Sequence, residues 1–301
     1  DIDGAYTGIT NLSVSGTSNM GANVTTTGTQ TYAGAVTLSG GDRTLTGATI
    51  NTQSTLAGGG NALTIAGAAD IDGALSGVTN LSITGAANIG ADVTTSGTQT
   101  YTDAVTLSGS DRTLTGSTVN TRATLAGGGN ALTITGAANI DGAYSGITNL
   151  SVNGASNIGA DITTTGTQTY SGAVTLSSGD RTLTGSTVMT RSTLVGGGNA
   201  LTIMGAADIE GALSGISNLS ITGASNIGAD ITTTGTQTYA SAVTLSGGDR
   251  TLTGSTINTR SRLAGSGNAL AISGSADIDG AYTGITNLSV SGTSNMGANV
   301  T

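Results

Sequence analysis

The pentapeptide Asp1-Ile2-Asp3-Gly4-Ala5 returns as Asp70-Ile71-Asp72-Gly73-Ala74, Asn139-Ile140-Asp141-Gly142-Ala143, Asp208-Ile209-Glu210-Gly211-Ala212 and Asp277-Ile278-Asp279-Gly280-Ala281, always after the same interval. No insertion or deletion interrupts the period, which divides the chain into repeats 1–69, 70–138, 139–207 and 208–276 and a partial fifth, 277–301, that copies Asp1 to Thr25 letter for letter. A fixed period requires every unit to pack on its neighbours in one repeated geometry, so the expected architecture is a stack. On this reading residues 1–301 form a single continuous domain.

Inside a repeat, apolar residues alternate with small polar ones in short runs closed by glycine: Leu12-Ser13-Val14-Ser15-Gly16, Val36-Thr37-Leu38-Ser39-Gly40 and Leu63-Thr64-Ile65-Ala66-Gly67. Period two is the signature of a strand. Further apolar signals follow each run, at Met20, Leu45 and Ile71 and again at Val24, Ile50 and Val78. The runs mark three unequal sub-repeats, from Leu12 to Val36, from Val36 to Leu63 and from Leu63 to Leu81. Three short strands per turn, each pairing with its copy one turn above and below, make an all-β, right-handed parallel β-helix (β-solenoid) with three coils per 69-residue repeat, the hand following from the general handedness of parallel crossovers. At about 4.8 Å per coil, some twelve coils would form a rod of roughly 60 Å. The expected core comprises Leu12, Val14, Leu38, Leu45, Ile50, Leu63, Ile65, Ile71 and their equivalents. Helical repeats do not fit a period of two in a chain saturated with Thr, Val, Ile and Gly.

Composition narrows the chemistry. The chain has no Cys, His, Pro, Trp or Phe, and all eight basic residues are Arg, so thiol nucleophiles, imidazole bases, Schiff-base lysines and zinc ligands are unavailable. A non-enzymatic role is the expectation. A net charge of −9 offers no basic stripe for phosphates, which disfavours nucleic acid, and no apolar run reaches the length of a membrane span. The text shows no capping coil at either end, which reads as a window on a longer array or as chains stacked end to end.

The segments Val24-Thr25-Thr26-Thr27-Gly28-Thr29-Gln30-Thr31-Tyr32, Ala35-Val36-Thr37-Leu38-Ser39-Gly40 and Gly58-Gly59-Gly60-Asn61-Ala62-Leu63-Thr64-Ile65 resemble the repeat text of filamentous-haemagglutinin-like exoproteins and giant bacterial surface proteins. The resemblance implies a secreted right-handed β-helix, extracellular or at a bacterial cell surface, used as an adhesin stalk or matrix fibre.

Several features are candidates for chemistry. Asn19, Asp42, Asp70, Asn88, Asp111, Asn139, Asn157, Asp180, Asp208, Asn226, Asp249 and Asp277 read as one polar column in successive coils. Oxygen ligands suit calcium, which makes Asp42, Asp70, Asp111, Asp180, Asp208 and Asp249 weak Ca²⁺ candidates; no other cofactor is expected. The competing reading is that Asx side chains shape the bend, with Arg43, Arg112, Arg181 and Arg250 relieving repulsion. Asp1/Asp3, Asp70/Asp72 and Asp208/Glu210 are i, i+2 carboxylates at a separation of about 6.5 Å in a strand, near the spacing of glycosidases, but Asn139/Asp141 interrupts the series. Ser13, Thr37, Thr64 and Ser82 read as an outward hydroxyl column that could meet ice or glycans. Asn11-Leu12-Ser13 and its copies match a glycosylation sequon. Tyr32, Tyr101, Tyr170 and Tyr239 recur once per repeat, either covering the corner of the core or contacting a neighbouring rod. The expected function is a structural fibre whose partner is itself, end to end or laterally, with glycans or host and cell surfaces as further partners. Alternatives are an adhesin stalk whose receptor-binding part lies elsewhere and a carbohydrate-active β-helix.

Overall fold

The structure is a computed structural model that describes all 301 residues. It contains strands and no helix, and it divides into two compact units, Asp1–Gly154 and Ala155–Thr301. Each unit is a parallel β-solenoid.

In the first unit the opening repeat supplies β1 (Tyr6–Ile9), β2 (Leu12–Val14), β3 (Ser18–Met20), β4 (Val24–Thr26), β5 (Thr29–Tyr32), β6 (Val36–Leu38), β7 (Arg43–Thr52), β8 (Leu56–Ala57) and β9 (Leu63–Ile71). Leu12 pairs with Gln30, Gln30 with Ile50, Ile50 with Ala69 and Ala69 with Ala87, all in parallel. These pairings set the length of one coil. The long strands β7 and β9 bend over a corner, with a register break between Thr46 and Thr49, and each contributes two segments. One repeat thus holds eleven strand segments, and each segment pairs with the third one after it.

Three faces result. The first holds β1, β4, the leading halves of β7 and β9, Leu81–Ile83 and Thr98–Tyr101. The second holds β2, β5, the trailing halves of β7 and β9, Ala87–Ile89 and Val105–Leu107. The third holds β3, β6, β8, Leu75–Val78, Val93–Thr95 and the start of Arg112–Thr121. The second unit repeats the rule: Ser156–Ile158, Val174–Leu176, Leu194–Val195 and Leu213–Ile216 succeed one another on one face.

Eleven segments at three to a coil give three and two-thirds coils per repeat, which corrects the expected three unequal ones. The similar runs at Leu12, Val36 and Leu63 lie on the second, third and first faces. Their likeness reflects a shared alternation of inward and outward residues, not stacking. Because the remainder is two-thirds of a coil, equivalent residues in successive repeats fall on different faces: Thr37 is on the third face and Thr106 on the second.

Inward residues fill the core between the faces. Leu38, Leu45, Ile50, Leu63, Ile65 and Ile71 are at most 2% exposed. Leu12 and Val14 lie in the first coil and are half-buried, whereas their equivalents Leu81 and Ile83 are closed over. Each fully buried aliphatic side chain contributes about 1.5–3 kcal/mol. Within each unit, backbone ladders on three faces then bind coil to coil.

In the first repeat, the corner between the first and second faces brings β7 and β9 together without side chains. Gly67 has φ +146°, and a Cβ there would lie 1.8 Å from the carbonyl oxygen of Gly47, one coil below. A Cβ on Gly47 would in turn lie 2.8 Å from the oxygen of Gly28. Only glycine permits this corner, because the backbone occupies the space of any side chain.

Candidate functional site

The corners concentrate the polar chemistry. After β6, the chain turns from the third face to the first through Asp42, whose Oδ1 accepts the backbone N–H of Ala62 in the next coil at 2.8 Å. Asp111, Asp180 and Asp249 do the same for Ala131, Ala200 and Ala269. A second set stands one coil lower: Asn23 accepts from Thr44, and Asp92, Asp161 and Asp230 accept from Thr113, Thr182 and Thr251, all at 2.9 Å. A third set uses Asn11, Asn80 and Asn218, which accept from Thr29, Thr98 and Thr236 at 2.8 Å. Each is an Asx side chain satisfying a donor that the strand ladder leaves free at the bend. We call these inter-coil Asx staples.

The twelve Asn and Asp residues expected in one column therefore separate. Asp42, Asp111, Asp180 and Asp249 are corner staples. Asp70 and Asp208 project from strands and accept Nδ2–H bonds at 2.7 Å from Asn88 and Asn226, their register partners in the next coil. Asn19 stands beside Thr37 on the third face. The six calcium candidates thus occupy two environments, and nowhere do three or more acidic, His or Cys groups gather. The carboxylate pair Asp70/Asp72 is divided, with Asp70 on β9 and Asp72 beyond its end. The hydroxyls Ser13, Thr37, Thr64 and Ser82 also disperse over three faces, only Thr64 and Ser82 being neighbours.

The arginines do not pair with the aspartates adjacent in sequence. Arg112, Arg181 and Arg250 approach Asp92, Asp161 and Asp230, one coil below, at 3.8–3.9 Å. These carboxylates are 57% exposed, so each ion pair contributes little by itself. More directly, the guanidinium groups cap loop carbonyls, as in Arg43 Nε–H to Met20 O at 3.1 Å and Ser39 O at 3.0 Å.

The reading of Tyr32, Tyr101, Tyr170 and Tyr239 as lateral contacts is corrected, because all four are fully buried. Tyr32 lies two residues from Gln30 on β5, so the alternation of a strand turns both side chains inward. Tyr32 Oη–H donates to Gln30 Oε1 at 2.8 Å, while Gln30 Nε2–H donates to the carbonyls of Val24 at 3.2 Å and Thr46 at 2.8 Å. Gln99, Gln168 and Gln237 are equally buried, and their amides bridge Val93 to Thr115, Ile162 to Thr184 and Ile231 to Thr253. A buried amide with both ends bonded ties side chain, strand and next coil together. Sequence reasoning missed these glutamines, although the i, i+2 parity with tyrosine carries the signal.

A second tyrosine position alternates. Tyr144 and Tyr282 are buried and share 2.8 Å hydrogen bonds with Thr121 and Thr259. Leu75 and Leu213 stand at the equivalent places, and there the buried hydroxyls of Thr52 and Thr190 have no partner. Burial pushes the phenols of Tyr32, Tyr101, Tyr144 and Tyr239 far above the ordinary value and that of Tyr282 up to about 12, the hydrogen bonds from Thr121 and Thr259 acting in the opposite sense at Tyr144 and Tyr282.

No protein-family model, curated protein or solved structure matches this chain. No helix is long and apolar enough to cross a membrane.

Proposed function

We propose that this chain is a non-enzymatic structural protein, a segment of a self-associating β-solenoid fibre. The observation that carries the reading is the use made of its polar side chains. Asp, Asn, Arg and Gln residues that could serve chemistry instead bind one coil to the next, through the staples of Asp42 and its kind and the buried amides of Gln30 and its kind. Load applied along the stack is shared by three parallel backbone ladders and by these side-chain ties. An extracellular or cell-surface setting, as the resemblance to filamentous-haemagglutinin-like proteins implies, belongs to the same proposal.

Sedimentation of the purified chain over a range of concentrations, with electron microscopy of the same samples, tests it. Elongated species that grow with concentration are expected. A concentration-independent monomer would remove the fibre reading.

A further inference from the structure

We propose that the solenoid offers three equivalent lateral faces, each matched to a second copy of this chain, rather than one dedicated interface. The inference rests on the fibre reading and specifies how its rods associate sideways.

Its basis is the two-thirds remainder of the repeat. Thr25 on β4 and Thr94 occupy the same position in successive repeats, yet Thr25 lies on the first face and Thr94 on the third. Thr37 and Thr106 likewise lie on the third and second faces. In the second unit Thr175 and Thr244 are also on different faces, since Val174–Leu176 pairs with Leu194–Val195 and Val243–Leu245 with Leu263–Ala264, which belong to different ladders. Whatever contact one repeat can make on one side, the next repeat offers on another.

The faces suit a copy of themselves. The outward residues of the third face include Asn19, Thr37, Ala57, Ser76, Thr94 and Thr115, all short and none charged. Asp42, Asp103 and Arg122 hold charge at the corners, and the one carboxylate carried on a strand of the first unit, Asp70 on the second face, accepts an Nδ2–H bond from Asn88. Two flat sheets with short side chains pack about 10 Å apart. A second copy brings donors and acceptors in equal measure, whereas a strongly charged partner would find nothing on the third face to neutralise it. At about 4.8 Å per coil, the surface text steps by roughly 18 Å from one repeat to the next while it moves to a new face.

Single-cysteine variants test this without background, because the chain has no cysteine. Thr25→Cys and Thr94→Cys form one pair, and Thr37→Cys and Thr106→Cys a second; all four positions are exposed. Each variant is checked by circular dichroism, assembled, confirmed by sedimentation and treated with a flexible bis-maleimide. Equal intermolecular crosslinking within each pair is the expected result. Crosslinking of one member with loss of it in the other, in material that has assembled, would overturn the three-face proposal and leave the fibre standing. Failure to sediment as assemblies would overturn the fibre reading and this inference with it.

Discussion

The corner at Gly47 and Gly67 and the corner at Asp42 and Ala62 bend the same chain onto its next face by opposite means. At the first, side chains are excluded and backbone touches backbone; at the second, a carboxylate spans the gap and holds the N–H of the coil above. The stapled corner accommodates loops of different length, from Thr79-Asn80 to Gly58–Ala62, because an Asx side chain can follow the backbone as it moves outward. The glycine corner has no such latitude. Within one repeat, the Gly47–Gly67 turn is thus rigidly encoded and the Asp42–Ala62 turn adjustably.

The sharpest way to break this contrast is Gly67→Ala. The added Cβ meets the Gly47 carbonyl at 1.8 Å and the φ of +146° is already unfavourable for alanine, so the loss is expected to exceed about 3 kcal/mol. Gly60→Ala provides the control. It has φ +82° with nothing within 4 Å, and a loss of only about 1–2 kcal/mol is expected in urea unfolding. Equal losses would show that the Gly47–Gly67 approach is not what closes the corner.

Gln99→Leu removes the amide that joins Val93 and Thr115 and strands the buried Tyr101 hydroxyl. A cost of about 2 kcal/mol is expected, and a neutral result would mean that the site repacks as an apolar core. Alkali probes the same interior. A phenol whose folded pKa is raised gives stability that is complete below its ordinary pKa of about 10 and is lost as pH rises through the folded value. Since Tyr32, Tyr101, Tyr144 and Tyr239 are raised far above the ordinary value and Tyr282 to about 12, tyrosinate absorbance above pH 10 is expected to rise together with loss of the β signal in circular dichroism. Ionisation of those phenols with the fold intact would contradict the burial.

At the stapled corner the effects are smaller. Asp111→Ala should cost about 1 kcal/mol, as for loss of a capping side chain, with Asp111→Asn retaining most of the stability. Ser178 has φ +61° where the other repeats place Gly40, Gly109 and Gly247. Ser178→Gly is therefore expected to stabilise by up to about 1 kcal/mol; a destabilised variant would show that the serine hydroxyl does more than tolerate the turn.

The strands, the parallel stack and most of the core were legible because inward and outward residues alternate so cleanly, as in Val36-Thr37-Leu38. Coil length was not. It depends on which runs pair, and the nine apolar signals of a repeat pass over β5 (Thr29–Tyr32), whose first inward residue is Gln30, and β8 (Leu56–Ala57), which is only two residues long. Once those two extra segments are counted, the repeat no longer contains a whole number of coils, and the expected polar and hydroxyl columns dissolve. The staples were half legible: the Asx residues stood out, but their acceptor role needs the coil above, which only the register supplies. The interior position of Gln30 was hidden because glutamine carries no apolar mark, and only its parity with Tyr32 betrays it.

The architecture turns on the pairing of each strand segment with the third one after it. Disulfide formation in two double-cysteine variants tests it most directly. Asn88 and Thr106 are register partners on the second face, and neighbouring strands about 4.8 Å apart lie within the Cα separation a disulfide accepts. Ser82 and Thr106, the equivalents of Ser13 and Thr37, would stack directly if a repeat held three coils, but they lie on different faces. Ready oxidation is expected of the Asn88→Cys/Thr106→Cys variant, and no disulfide within the chain of Ser82→Cys/Thr106→Cys. The reverse outcome would contradict that pairing.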